Sequence, residues 1–267
     1  MASDYDLFSS FQDAPGSVLF VDTETTGADT SQDHIVEVAF LLAEYSGVTP
    51  LGSIGEFSSL VRPPVPVPPE ASAVHHITNA MLEGAPSTAD LQETVRGLSE
   101  RAAFICAHNL PFDMAMLQRG FPGVFSAFTE NRRIDTLRLS RHCFSDIPSH
   151  GLQALRYRHG LDDAILPGDA HRALFDTRLV KALLDSILEK DLTGATGLSE
   201  LVEFIARPLE IKVFNFGKHK GCLVEDTAAT DPDYIRWLLK QEWLPVEYPD
   251  LYHTLLRKSG QNGNHAT

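Results

Sequence analysis

The chain has 267 residues, 43% of them hydrophobic, and a net charge of −14, which allows one sizeable core and a small additional module. No apolar run approaches membrane-spanning length, and the acidic N-terminus MASDYDLFSS lacks the features of a secretory signal. Three cysteines without metal-type spacing argue against a disulfide framework and a structural zinc site. These features predict a soluble cytoplasmic protein without a membrane partner.

The first predicted element follows a leader over residues 1–15 that is expected to be disordered. The apolar run SVLFV over 17–21 is typical of a strand covered on both faces. Asp22 and Glu24 follow it and leave the strand by the same face, with Cα atoms roughly 6.5 Å apart. Carboxylates that close raise each other's pKa unless a cation lies between them. A solvated acidic loop also explains a DxE pair, but the direct succession from a core strand favours metal ligands.

Two further strands are expected in HIVEVAFLLAEYSG and IGEFSSLVRP, as a meander with the first strand. The proline-dense segment RPPVPVPPE ends this strand-rich region. Beyond it, helices and one strand are expected to alternate as far as about Lys190.

The second acidic motif, HNLPFDM, follows a short apolar run over 102–107. Asn109 can cap a helix and Pro111 can open it. On that helix Asp113 shares a face with Met116, and a carboxylate on an apolar stripe needs a partner. A first-turn aspartate that complements the helix dipole explains Asp113 equally well when it is considered alone.

The third motif, HRALFDT, precedes a regular helical pattern. The apolar stripe of this helix comprises Leu179, Val180, Leu183, Leu184, Ile187 and Leu188. Asp176 precedes the stripe by three residues, so its carboxylate is expected to face the core. His171 lies about 140° around a helix from Asp176 and is therefore expected on the preceding loop. An imidazole there can take a proton from water, although surface solvation or helix capping is the commoner role of a histidine.

The C-terminal part of the chain differs in composition from the rest. Its expected segments are a linker over 191–208 that leads into a short helix near Leu201 to Ala206, a small module over 209–258 and a disordered tail over 259–267. Lys218 and Lys220 alternate with aromatic residues around two glycine turns, a composition suited to a single nucleic-acid strand. An ordinary hairpin with Phe214 and Phe216 in a small core explains the pattern equally well.

VDTETTG, HNLPFDM and HRALFDT resemble, in order and kind, the motifs of the DEDD exonuclease superfamily with a histidine base. PEASAVHHITNAML and FNFGKHKGCLVEDTAATDPDYIRWLL resemble the exodeoxyribonuclease X-like branch, so the resemblance extends from about residue 17 to about residue 239. It implies an α/β, RNase H-like domain over 16–190 with a mixed five-stranded sheet flanked by helices. Three antiparallel strands are followed by parallel ones, and a small C-terminal α+β module is added.

The same resemblance implies roles for the motif residues. Metal ligands are implied at Asp22, Glu24, Asp113 and Asp176, which would hold two Mg²⁺ or Mn²⁺ ions, and a general base is implied at His171. Candidates for contact with the substrate are His75 of the H(x)IT match, Thr25, Asn109, Phe112, Lys218 and Lys220.

The implied activity is metal-dependent 3′–5′ hydrolysis of DNA ends, with release of nucleoside 5′-monophosphates, in repair or proofreading. The expected partner is DNA with a single-stranded or duplex 3′ end. The net charge of −14 argues against a broad phosphate-binding surface, but cations can hold one or two terminal nucleotides without one. Alternatives are an exoribonuclease of the same fold acting on RNA and a non-catalytic subunit that binds polymerase or repair proteins. Homodimer formation stays open.

Overall fold

The computed structural model describes residues 16–161 and 172–262. The chain forms two compact units that divide between Ile205 and Ala206. No helix in the described ranges is long and apolar enough to cross a bilayer. All three cysteines are free. The predicted leader over 1–15 lies outside the described residues.

A five-stranded sheet forms the centre of the first unit. Its strands are β1 Ser17–Thr25, β2 Ile35–Ser46, β3 Thr49–Leu60, β4 Phe104–Ala107 and β5 Arg133–Asp135. They lie in the order β3-β2-β1-β4-β5. The β1–β2 and β2–β3 pairs are antiparallel, whereas the β1–β4 and β4–β5 pairs are parallel. This arrangement confirms the predicted mixed sheet and brings the end of β1 beside the start of β2 and the end of β4.

Seven helices of the first unit are described, together with 3₁₀ turns at Asn79–Leu82 and Glu130–Arg132. The helices are α1 Pro69–His75, α2 Thr88–Ser99, α3 Leu110–Gly120, α4 Thr136–Cys143, α5 Leu152–His159, α6 Ala173–Glu189 and α7 Leu198–Ala206. Side chains alternate along a strand, so β1 presents residues to both faces of the sheet, and helices cover both faces. Val18 and Phe20 pack with α6, whereas Leu19 and Val21 pack with α3. The continuous apolar run is thereby explained.

Helix α7 agrees with the short helix expected near Leu201 to Ala206 within the predicted linker, but it begins three residues earlier and packs on the first unit. Its buried residues are Leu198, Leu201, Val202 and Ile205, which share the core of α6. Their spacing is i, i+3, i+4, i+7, which places all four side chains on one helical face. The second half of the predicted linker is therefore part of the first unit.

The second unit is mainly helical. Its described helices are α8 Val224–Thr230, α9 Pro232–Leu238, α10 Leu244–Glu247 and α11 Pro249–Asn262. The predicted α+β character reduces, among described residues, to one isolated bridge between Val213 and Leu223. Phe214 and Tyr234 lie in the core of this unit. Helix α11 also extends into the predicted disordered tail over 259–267, of which residues 263–267 lie outside the described residues.

Candidate functional site

Three carboxylates meet at the end of β1. Asp22 and Glu24 lie two residues apart on the strand and therefore leave by the same face, which is covered by α6. Asp176 reaches them from the first turn of α6 and is 7% exposed. One carboxylate oxygen from each of the three lies within 4.8 Å of the others. Helix periodicity predicted the inward direction of Asp176, and the structure confirms it.

Asp113 approaches from the first turn of α3 and is 4% exposed. Its Oδ1 accepts a 2.9 Å hydrogen bond from the hydroxyl of Thr23, the residue between the two β1 carboxylates. It does not belong to the group of three whose oxygens lie within 4.8 Å. Its charge nevertheless raises the pKa of Asp22, second only to burial. The fourth predicted carboxylate thus adjoins the other three and is held by the central strand.

The electrostatics of this cluster are unfavourable without a cation. Burial, followed by the charges of Asp113 and Glu24, raises the pKa of Asp22 well above its usual range. Burial, followed by the charge of Asp176, raises the pKa of Glu24 to about 8. Burial raises the pKa of Asp113 to about 7, and the hydrogen bonds of Thr23 oppose this. A divalent cation would remove the repulsion, and the oxygen-only donor set fits a hard cation.

Glu37 is a site residue that the sequence analysis missed. It lies on β2 directly opposite Glu24 and is 4% exposed. Its carboxylate accepts hydrogen bonds from the Arg172 guanidinium, the shortest 2.7 Å, and from the Ala173 backbone N–H at 3.0 Å. Glu37 therefore fastens the start of α6, and with it Asp176, to the sheet. An acidic residue inside the apolar run IVEVAFLLA was the available signal.

Gln153 is a second missed residue. Its side-chain amide, on α5, donates a 2.8 Å hydrogen bond to Oδ1 of Asp176. This bond fixes the orientation of the Asp176 carboxylate. No local pattern marks Gln153, because the contact depends on how α5 packs against α6.

His171, the predicted general base, lies outside the described residues. Its chain neighbour Arg172 is described and is held by Glu37. His75, the predicted contact with the substrate, is 2% exposed, and its Nδ1 accepts a 3.0 Å hydrogen bond from the Ile77 N–H. Burial lowers the pKa of His75, which favours the neutral imidazole. The Nε2 atom of His75 is buried without a hydrogen-bond partner among the described residues, and its contact with the substrate stays a prediction.

Three other candidates lie beside the carboxylates in sequence. Asn109 is the residue before α3 and has a φ of 76°, but its side chain makes no capping hydrogen bond. Its exposed amide is therefore available to a ligand. Phe112 is half-buried against the core beneath α3. The hydroxyl of Thr25 donates a 2.7 Å hydrogen bond to the carbonyl of Gly27 and shapes the turn after β1.

Phe214 and Phe216 pack in the core of the second unit. Phe214 is 1% exposed, and the ring centroids of Phe216 and Tyr248 lie 4.3 Å apart. For these rings the alternative of a small structural core is therefore correct. Lys218 is exposed and lies 2.6 Å from a carboxylate oxygen of Asp231, whereas Lys220 is exposed without an ion pair among the described residues.

Four carboxylates on β1, α3 and α6 define the class of site in which divalent cations promote phosphodiester hydrolysis. Comparisons with known proteins agree with this class. A model of the Exonuclease family matches residues 19–184, and a model of the Exodeoxyribonuclease X-like C-terminal family matches residues 214–242. The chain belongs to the exonuclease family, whose members generally depend on divalent metal ions.

Individual relatives extend the match to most of the chain. The chain is 33% identical to Exodeoxyribonuclease 10 of Escherichia coli K12 over 88% of its own length and 95% of the relative. A solved structure of Exonuclease X in complex with 5′ overhanging duplex DNA has a TM-score of 0.55 and 29% identity, covering 71% of this chain and 99% of that chain. The 3′-5′ exonuclease DinG of Staphylococcus saprophyticus is 27% identical over 64% of this chain and 18% of the relative.

Proposed function

We propose that the protein is a 3′–5′ exodeoxyribonuclease that hydrolyses the terminal phosphodiester of a DNA strand and releases nucleoside 5′-monophosphates. The observation that carries this proposal is the cluster of Asp22, Glu24 and Asp176, whose oxygens lie within 4.8 Å, with Asp113 beside it. The relative named Exodeoxyribonuclease 10 and the DNA complex of Exonuclease X support DNA as the substrate. The relative named a 3′-5′ exonuclease supports the direction.

Two Mg²⁺ or Mn²⁺ ions, held by the four carboxylates, would supply an activated water and stabilise the charge on the leaving oxygen. The protein's own groups orient the reaction. Thr23 fixes Asp113 and Gln153 fixes Asp176. His171 takes the proton of the attacking water, since its neutral imidazole can accept a proton near pH 7.

The proposed contacts with the strand lie in both units. The exposed Asn109 amide and the half-buried Phe112 ring contact the terminal nucleotide, with Thr25 shaping the turn beside them. Exposed Lys220 and Lys218 of the second unit bind phosphates of the strand, and Lys218 exchanges its ion pair with Asp231 for one with a phosphate. His75 positions the segment around Ile77 from its buried place.

The test is incubation with 5′-labelled single-stranded DNA, duplex DNA and RNA of one sequence, in Mg²⁺, Mn²⁺ or a chelator. A 3′–5′ exonuclease produces a ladder of labelled strands that shorten with time, and the chelator stops it. Immediate release of a labelled mononucleotide would show the opposite direction. Faster shortening of RNA than of both DNA substrates would assign the site to an exoribonuclease instead. The Asp176→Asn variant is the matched control for contaminating nucleases.

A further inference from the structure

A second feature of the first unit is a cleft of about 890 Å³ between the start of β2, the segment after β3, the start of α2 and the end of α3. Arg62, Arg119 and His34 line it together with the apolar side chains of Ile35 and Met116. No Asp or Glu belongs to its lining. The cleft therefore combines cationic and apolar groups on a protein whose net charge is −14.

The Arg62–Arg119 cleft lies on the α3 side of the sheet, and Asp113 lies on the first turn of α3. Ile35 pairs in the sheet with Thr25, the residue after Glu24. Met116 lies one turn beyond Asp113 on α3, and helical residues three apart share a face. The C-terminal end of α3 packs closely against β2. A Cβ atom added at Gly120 would lie only 2.8 Å from Cδ1 of Ile35. The cleft therefore lies close to Thr25 in the register of the sheet and to Asp113 along α3.

Both arginines are exposed, and neither has a carboxylate within ion-pair distance among the described residues. By contrast, Arg172 and Arg178 of the same unit are paired with glutamates. Hydrogen bonds from Ser31, and to a smaller extent the charge of Arg119, lower the pKa of Asp29. Hydrogen bonds from Ser87, and to a smaller extent the charge of Arg62, lower the pKa of Asp90. The carboxylates of these two aspartates are hydrogen-bonded by the serines, at 2.6 Å from Ser31 and 2.7 Å from Ser87. Two guanidinium groups therefore remain for an external anion.

We propose that the Arg62–Arg119 cleft binds the phosphodiester backbone of the substrate strand beyond its terminal nucleotide. A guanidinium presents a planar set of donors that matches phosphate oxygens. The inference rests on the proposed function, because the strand in the cleft is the one whose end lies at the carboxylates. It also explains how an acidic protein holds more than one nucleotide.

The test compares two full-length double variants of equal charge, Arg62→Gln with Arg119→Gln and, as control, Arg96→Gln with Arg132→Gln. The control arginines lie on α2 and before β5, outside the cleft lining. The KM and kcat of each protein are measured on the dinucleotide pdTpdT and on a dT 12-mer over a range of NaCl concentrations. Thermal unfolding checks that all proteins are folded.

The cleft variant is expected to raise the KM for the 12-mer roughly tenfold, with kcat and the dinucleotide KM unchanged. The slope of log KM against log NaCl concentration for the 12-mer should decrease by about 1.4, which is about 0.7 for each of the two lost phosphate contacts. The control variant should match the wild type. Equal behaviour of the two double variants, or an equal rise of KM on both substrates, would overturn the proposal.

Failure of the proposed function gives a different result. In that case the wild type hydrolyses no DNA, while fluorescence anisotropy with a labelled dT 12-mer in a chelator still tests the cleft. Weaker anisotropy binding by the cleft variant than by the control supports the inference independently of turnover. Equal binding by the two variants contradicts it.

Discussion

Replacement of Glu24 by Gln tests the metal site through stability, without a substrate. Burial and the charges of Asp176 and Glu37 raise the pKa of Glu24 from its usual 4.5 to about 8. A carboxyl group with a raised pKa in the folded state binds protons more tightly there than in the unfolded chain. The stability from this protonation is fully present below about pH 4.5 and is lost as the pH rises through about 8.

The magnitude follows from the shift. At about 1.4 kcal/mol per unit, the complete shift corresponds to about 5 kcal/mol above pH 8. Glu24 is partly exposed, and solvent screening reduces this value to about 2 kcal/mol. Gln has nearly the shape of the protonated acid and carries no charge. Metal-free Glu24→Gln should therefore melt roughly 4–8 °C above the wild type at pH 8 and level with it at pH 4.5.

The assay is thermal unfolding from pH 4.5 to 8.5, with a chelator or with Mg²⁺ or Mn²⁺. The cations should raise the melting temperature of the wild type and affect the variant much less, because the variant lacks one ligand. Glu93→Gln, at a side chain that is 84% exposed, is the control and should follow the wild type. Equal melting of Glu24→Gln and wild type in chelator at pH 8 would falsify the electrostatic account. Equal stabilisation of both by cations would remove Glu24 from the metal site.

Four further outcomes are expected. Asp176→Asn should lower cleavage by orders of magnitude while the protein stays folded, as judged by circular dichroism, and chelation of the wild type should have the same effect. His171→Ala should lower kcat by about 10² to 10⁴ with unchanged metal titration midpoints, and recovery of full activity at high metal concentration would contradict its role as base. Glu37→Gln should lower kcat more than it changes KM, because it loosens the start of α6; an unchanged kcat would exclude this role. Truncation after Ala206, which retains α7, should keep kcat on short oligonucleotides and raise KM on long single strands, whereas equal KM values would show that the second unit does not hold the strand.

Much of the carboxylate site at the end of β1 could be predicted because it depends on local periodicity. The apolar run before Asp22 specifies a strand buried on both faces, and alternation along the strand places Glu24 beside Asp22. The 3.6-residue repeat of α6 turns Asp176 inward. These relations involve neighbours in sequence, so they hold wherever the element packs. The same repeat predicted a short helix near Leu201 to Ala206, and the glycine-containing segment before it obscured only the first turn of α7, which begins at Leu198.

Only the tertiary structure decided which distant groups complete the site. Glu37 lies opposite Glu24 because of the β1–β2 register, and Gln153 meets Asp176 because α5 packs on α6. Arg62 and Arg119 line one cleft although they are 57 positions apart in sequence. Such pairings are set by the non-local packing of the sheet and its helices, and no short-range pattern encodes them. The sequence by itself therefore determined the chemistry of the carboxylates, whereas the fold determined which side chains orient them and where a strand can extend.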